Sequence, residues 1–176
     1  SPLVAPKPLD WGEHIHVTGY WFLDPPPDWQ PPAPLVEFLE SGQPPVYVGF
    51  GSIVEQDAAA TTQLVVDALA LAGQRGVLLG GWAGLGGGDL PASVLSVSDV
   101  PHEWLFPRMA AVVHHGGAGT SAAGLRAGVP SVLVPYFADQ PFWGRRVAAL
   151  GVGPRAIPRK RLTSARLAAA IREAVS

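Results

Sequence analysis

His114 and His115 end the apolar run that starts at Met109, and Gly116-Gly117-Ala118-Gly119-Thr120 follows them into small residues suited to a helix. A helix N-terminus leaves about four backbone N–H groups unpaired and carries partial positive charge. Glycine and alanine let a bulky anion approach that backbone closely. Thr120 adds a hydroxyl donor and His115 an imidazole N–H. Together they form a cradle for a diphosphate that requires neither lysine nor metal. The plainer reading is a tight turn between a strand and a helix, with the glycines there for packing. His114 is expected to point away from His115, into packing.

A rival chemistry overlaps the same stretch. Gly117-Ala118-Gly119-Thr120-Ser121-Ala122 satisfies G-x-G-x-x-A, and Asp139 stands 22 residues beyond Gly117, as in a dinucleotide-binding fingerprint. Such a fingerprint normally occupies the first strand-to-helix turn, whereas this match falls at about the fourth strand, and it gives His115 no task. Other candidates also sit where apolar runs end. Asp139 and Gln140 pair a carboxylate with an amide, suited to adjacent sugar hydroxyls; an ordinary helix cap is the competing role for Asp139. Ser52, in Phe50-Gly51-Ser52, is either a phosphate ligand or a capping serine. His102 follows Pro101 in a loop. Trp82 and Trp104 read as core before they read as base-stacking rings. His14 and His16 have the spacing of a ligand pair but read as solvated residues, so no metal site is expected.

These residues need a scaffold that gathers strand ends. Short apolar strands alternate with helical stretches: strands at 46–50, 77–79, 94–97, 110–113 and 131–134, helices at 35–39, 58–72, around 103–106, after the glycine motif through 126, at about 140–150 and at 163–175. Short segments at 14–18 and 156–157 read as further strands. Continuous apolar strands alternating with helices predict a doubly wound α/β domain around a buried parallel sheet. Such a sheet binds ligands at the carboxyl ends of its strands, where the candidates lie. Residues 1–34 are rich in proline and aromatic residues and read as a strap packed on the domain formed by residues 35–176.

Composition narrows the function further. Twelve basic and 14 acidic residues give a net charge of −2, so nothing global favours nucleic acid or an anionic membrane. Cysteine is absent, which excludes thiolate metal sites and fits a reducing compartment. No apolar run approaches the roughly 18 residues of a membrane span. The N-terminus lacks the pattern of a signal peptide, and a cytoplasmic location is expected.

Taken together, Asp99-Val100-Pro101-His102-Glu103-Trp104, Val112–Thr120, Ala127-Gly128-Val129-Pro130 and Pro135–Gly144 resemble the donor-binding box of the UDP-glycosyltransferases. The variant is most similar to the sterol glucosyltransferases and the bacterial enzymes that glycosylate antibiotics. The resemblance implies the C-terminal half of a GT-B fold, in which two Rossmann-like halves face each other across a cleft. It implies that His115, Gly117, Gly119 and Thr120 hold the diphosphate of a UDP-sugar or TDP-sugar, with Ser52 touching the phosphates. Val100 to His102 would hold the base, Trp82 would lie near base or ribose, and Asp139 and Gln140 would hold the hexose, a glucose-like sugar. No cofactor is implied beyond the donor. Plant members open the box with a tryptophan where this chain has Asp99-Val100, and carry Trp-Asn where it has Ala118-Gly119; both departures agree with the sterol and bacterial branch.

The implied reaction is inverting transfer of a hexose to a hydroxyl of a lipophilic acceptor. The family keeps its general base and most of the acceptor pocket on an N-terminal half that this chain does not include, so the chain alone is expected to bind nucleotide weakly and transfer nothing. The readings left open are an NAD-binding domain of an oxidoreductase and a non-catalytic relative serving as a binding module.

Overall fold

The computed structural model describes residues 2–51, 57–80 and 85–176. Five parallel strands form its sheet: β1 (Val46–Gly49), β2 (Gly76–Leu79), β3 (Val94–Val97), β4 (Ala111–His114) and β5 (Ser131–Leu133). Their spatial order is β3-β2-β1-β4-β5. Among the described residues six α-helices accompany them: α1 (Ala33–Glu40), α2 (Ala58–Ala72), α3 (His102–Leu105), α4 (Ala118–Ala127), α5 (Gln140–Ala149) and α6 (Ser164–Val175). The sheet is doubly wound and Rossmann-like, as the alternation of elements predicted.

Strand side chains alternate between two apolar layers, and this alternation places the helices. Val46 and Val48 of β1, with Leu78, Val94 and Val113, pack on Val65 and Leu69 of α2 and Leu167 and Ile171 of α6. Tyr47, Val77 and Val112 face the other way, against Leu35 of α1, Leu105 of α3 and Ala123 of α4. With both faces covered, the strands have no need of polar residues, and β1 is buried along its whole length.

The topology makes one crevice. From β1 the chain winds outward through β2 to β3, then crosses back to place β4 on the other side of β1. The connections leaving β1 and β4 therefore diverge, which opens a gap above their carboxyl ends. In the β1–β4 register Gly49 lies beside His114, so the turns that begin at Gly51 and His115 flank that gap.

Three local expectations change. Residues 14–18 form no strand: His14 lies in a turn, with Ile15 N–H donating to Gly12 O at 3.1 Å, and a strand also needs a ladder partner. The segment at 156–157 likewise forms no strand, although Ile157 N–H donates to Leu133 O (2.9 Å) and Arg159 N–H to Pro135 O (3.0 Å). Pro154 and Pro158 flank it and have no N–H to extend the ladder. The first helix starts at Ala33, with Pro32 as its N-cap, and not at Leu35.

The N-terminal segment touches the domain at discrete points. Trp29 meets Trp104 edge-on at 5.4 Å and Tyr20 lies 6.0 Å from Trp143. Arg126 sits 4.5 Å over Phe22. Arg146 donates to Val4 O at 2.6 Å and to Leu3 O at 2.8 Å. Between these anchors Leu9, Trp21 and Leu23 face solvent. Among the described residues no helix is long and apolar enough to cross a membrane.

Candidate nucleotide-sugar site

His115 is the first residue past β4 and is half-buried in the crevice. Two glycines make room for its ring. A Cβ at Gly51 would lie 2.7 Å from His115 Cε1, and a Cβ at Gly117 would lie 2.5 Å from Nε2. Gly51 also turns the chain at φ +67, a left-handed conformation that favours glycine. The imidazole is thus held between the turn after β1 and the start of α4, with Nε2 toward the helix. Its Nδ1 is buried without a hydrogen-bond partner among the described residues. Burial lowers the His115 pKa below its ordinary 6.5, partly opposed by the Asp139 carboxylate. At neutral pH the ring is therefore uncharged, and Nε2, the nitrogen toward the helix start, donates there when it carries the proton.

The start of α4 is open. Gly117 is the N-cap residue and provides no capping side chain. Ser121 N–H is the first to find a helical acceptor, Gly117 O at 2.9 Å. The amides of Ala118, Gly119 and Thr120 precede it and have no carbonyl within the helix to bond. Nothing lies within 4 Å of where a Cβ on Gly119 would stand. The sequence-expected donors His115, Gly117, Gly119 and Thr120 are therefore brought together around open space.

A second wall comes from the turn after β5. Asp139 is exposed and makes no capping bond to the α5 backbone. Its Oδ2 instead accepts from Trp143 Nε1 at 2.7 Å. The ordinary cap weighed for Asp139 is therefore not its role here. Gln140 is buried, and its Oε1 accepts from Tyr136 N–H (2.7 Å) and Phe137 N–H (3.2 Å). One end of its amide thus ties down the turn, leaving the NH2 end as a donor. Ala138 between them has φ +53, a strained conformation for a residue with a Cβ. That turn sets the direction of Asp139.

The third wall follows β3. Gly51, Leu79 and residues 98–102 line an open cleft of about 750 Å³. Val100 is buried at its base. The His102 ring is occupied: it stacks on Phe106 at 4.4 Å, and its Nε2 is 3.3 Å from the Tyr47 hydroxyl. Burial lowers the His102 pKa, against the pull of Glu103 and with a smaller push from His115. Ser52 and Trp82 lie outside the described residues.

Sequence reasoning missed three contributors. Gly51 was visible as part of a turn, but not as the space for the His115 ring. Tyr47 looked like one more apolar strand residue, yet its hydroxyl meets His102. His114 was assigned to packing, and it is fully buried, but its Nδ1 also accepts from Gly116 N–H at 3.1 Å. No local pattern announces the Gly51–His115 and Tyr47–His102 pairings, because each depends on how the strands are ordered; the His114–Gly116 bond is local and follows from the turn's conformation. His14 and His16 are exposed, and no cluster of metal-ligating side chains occurs among the described residues.

Comparison with known proteins gives the family and the fold. The family described as "Erythromycin biosynthesis protein CIII-like, C-terminal domain" matches residues 82–176. A sterol 3-beta-glucosyltransferase of Arabidopsis thaliana is 54% identical over 159 residues, covering 90% of this chain and 25% of that protein. One of Cryptococcus neoformans is 42% identical over 200 residues, covering 100% of this chain and 12% of that protein. The chain thus spans a quarter or less of these two curated relatives. Among solved structures, the kitacinnamycin glycotransferase is 31% identical with a TM-score of 0.66, covering 85% of this chain and 37% of that one. Glycosyltransferase VinC, solved with DTDP, is 26% identical with a TM-score of 0.61, covering 80% of this chain and 36% of that one.

Proposed function

The chain belongs to the Erythromycin biosynthesis protein CIII-like C-terminal domain family, and on that premise we propose that it is the nucleotide-sugar half of an inverting, metal-independent GT-B glycosyltransferase. The protein that carries it moves a hexose, glucose by preference, from a UDP-sugar or TDP-sugar to a hydroxyl of a lipophilic acceptor such as a sterol. One observation carries the reading: the unpaired amides opening α4 and His115 Nε2 converge at the crevice between β1 and β4. The names of the sterol glucosyltransferase relatives favour glucose and a sterol.

In the reaction an acceptor oxygen attacks C1 of the sugar as a base outside this chain takes its proton. The bond from C1 to the β-phosphate oxygen breaks, and its electron pair stays on the nucleotide diphosphate. The transition state is oxocarbenium-like, with negative charge growing on the leaving phosphate. Donors fixed around that phosphate bind it more strongly as the charge develops, so the cradle is catalytic as well as binding. Gly117, Gly119 and Thr120 offer backbone N–H groups, and His115 offers Nε2–H. The backbone of Val100 to His102 lies along the wide cleft suited to a base, since the His102 ring is held by Tyr47 and Phe106. Asp139 Oδ1 and the Gln140 NH2 group are the partners offered to sugar hydroxyls.

The G-x-G-x-x-A match keeps NAD as the competing ligand. Its location at β4 and the imidazole over the helix start favour a sugar nucleotide. Thermal shift with UDP-glucose, TDP-glucose and NAD separates them. A ligand that binds only the native state adds about 2.7 kcal/mol at 100 times its dissociation constant. A sugar nucleotide is expected to raise the midpoint and NAD to leave it unchanged; tighter binding of NAD would overturn the proposal. Sugar transfer by the whole protein then separates an enzyme from a non-catalytic relative.

A further inference from the structure

We propose that His114, which makes no direct approach to the donor, is a positioning residue for the phosphate cradle: its buried Nδ1 pins the Gly116 amide and so fixes where His115 and the start of α4 stand. The inference rests on the cradle reading above and extends it to a residue behind the cradle. His114 ends β4 with no exposed surface. Its Nδ1 accepts from Gly116 N–H at 3.1 Å, two residues along the chain.

That bond is available only when Nδ1 is unprotonated, which makes the ring the neutral Nε2–H tautomer. Burial first, then His115 and His102, lowers the His114 pKa to about 3, so the acceptor persists through the working range. Held inward by this bond, Gly116 takes φ +93. A Cβ there would lie 3.0 Å from Leu133 Cδ2 and 3.2 Å from Gln140 O, so the turn is wedged between β5 and the start of α5. The next residue is Gly117, whose open face receives the His115 ring. His114 thus ties the amide that the cradle does not use, and the turn presents the open amides at the start of α4 to the ligand. An apolar residue at 114 would fill the same volume and leave Gly116 N–H buried without an acceptor, a cost that the turn would relieve by moving.

The test uses His114→Asn, His114→Gln and His114→Leu in the protein that carries this chain. Asparagine puts a carbonyl oxygen close to the place of Nδ1; glutamine carries its amide farther out, toward the place of Nε2. Dissociation constants for UDP and for uridine are measured by calorimetry, because only UDP engages the cradle. The leucine and glutamine variants are expected to weaken UDP at least tenfold while uridine changes less than twofold. The asparagine variant is expected to recover the UDP-to-uridine ratio to within about threefold of wild type, even if its melting temperature is lower. A role in packing alone would lower stability in all variants without changing that ratio. Equal ratios in the asparagine and glutamine variants would overturn the inference, and that comparison remains decisive if the leucine variant does not fold. If wild type itself fails to prefer UDP over uridine, the cradle reading falls first and takes this inference with it.

Discussion

His115 carries the largest expected effect of any single side chain. It is half-buried, uncharged at neutral pH and aimed at the helix start from between two glycines. Removing one donor from such a site costs on the order of 3 kcal/mol in the transition state. His115→Ala is therefore expected to lower kcat by about a hundredfold or more in the whole enzyme, with a smaller change in KM; wild-type turnover would refute its placement. His114 leaves a different signature, in stability. Its pKa is about 3 in the folded protein against an ordinary 6.5, so between those values the unfolded chain binds a proton that the native state refuses. The stability it contributes is complete above the ordinary value and is lost as pH falls toward the folded one. The slope is about 1.4 kcal/mol per pH unit for one such group. Urea unfolding from pH 7 to pH 4.5 is expected to show a shallower loss in His114→Asn than in wild type. Equal slopes would show that His114 is not held neutral.

At the level of elements, β1, β4 and α4 make the site by meeting. Neither Gly117 nor Gly119 has a positive φ, so alanine at either tests space and not backbone strain. At Gly119 an added methyl enters open space where the proposed phosphate lies. Gly119→Ala is expected to keep or raise the melting temperature, since glycine costs about 0.5–1 kcal/mol relative to alanine inside a helix, while UDP binding falls at least tenfold. At Gly117 the methyl meets His115 Nε2 at 2.5 Å and must displace the ring. Gly117→Ala is expected to lower kcat with a modest loss of stability. UDP affinity unchanged in Gly119→Ala would move the ligand off this helix.

At the level of the molecule, the N-terminal segment is held by a few side chains and not by a continuous interface. Trp29 stands against Trp104 and joins the apolar layer shared by α1, α3 and α4. Trp21 is 88% exposed. Trp29→Ala is expected to cost about 1–3 kcal/mol, whereas Trp21→Ala should stay within about 0.5 kcal/mol of wild type in this chain. Denaturant midpoints check both. Comparable losses would mean that the segment packs along its whole length.

Much of this was legible in the residues alone. The short apolar strands and the helices over 58–72 and 163–175 are local facts, and local sterics and capping decide them. The open start of α4 was legible for the same reason, since a helix start without a capping side chain is a property of consecutive residues. Pairing was not. Whether residues 14–18 join a sheet depends on a partner strand, and alternation says nothing about that. Local sequence also did not reveal that Gly51 makes room for His115 across about 60 residues of chain, or that Tyr47 meets His102. Those contacts follow from the order β3-β2-β1-β4-β5. A strand end carries its own turn, but only the assembled sheet sets the ends of β1 and β4 side by side.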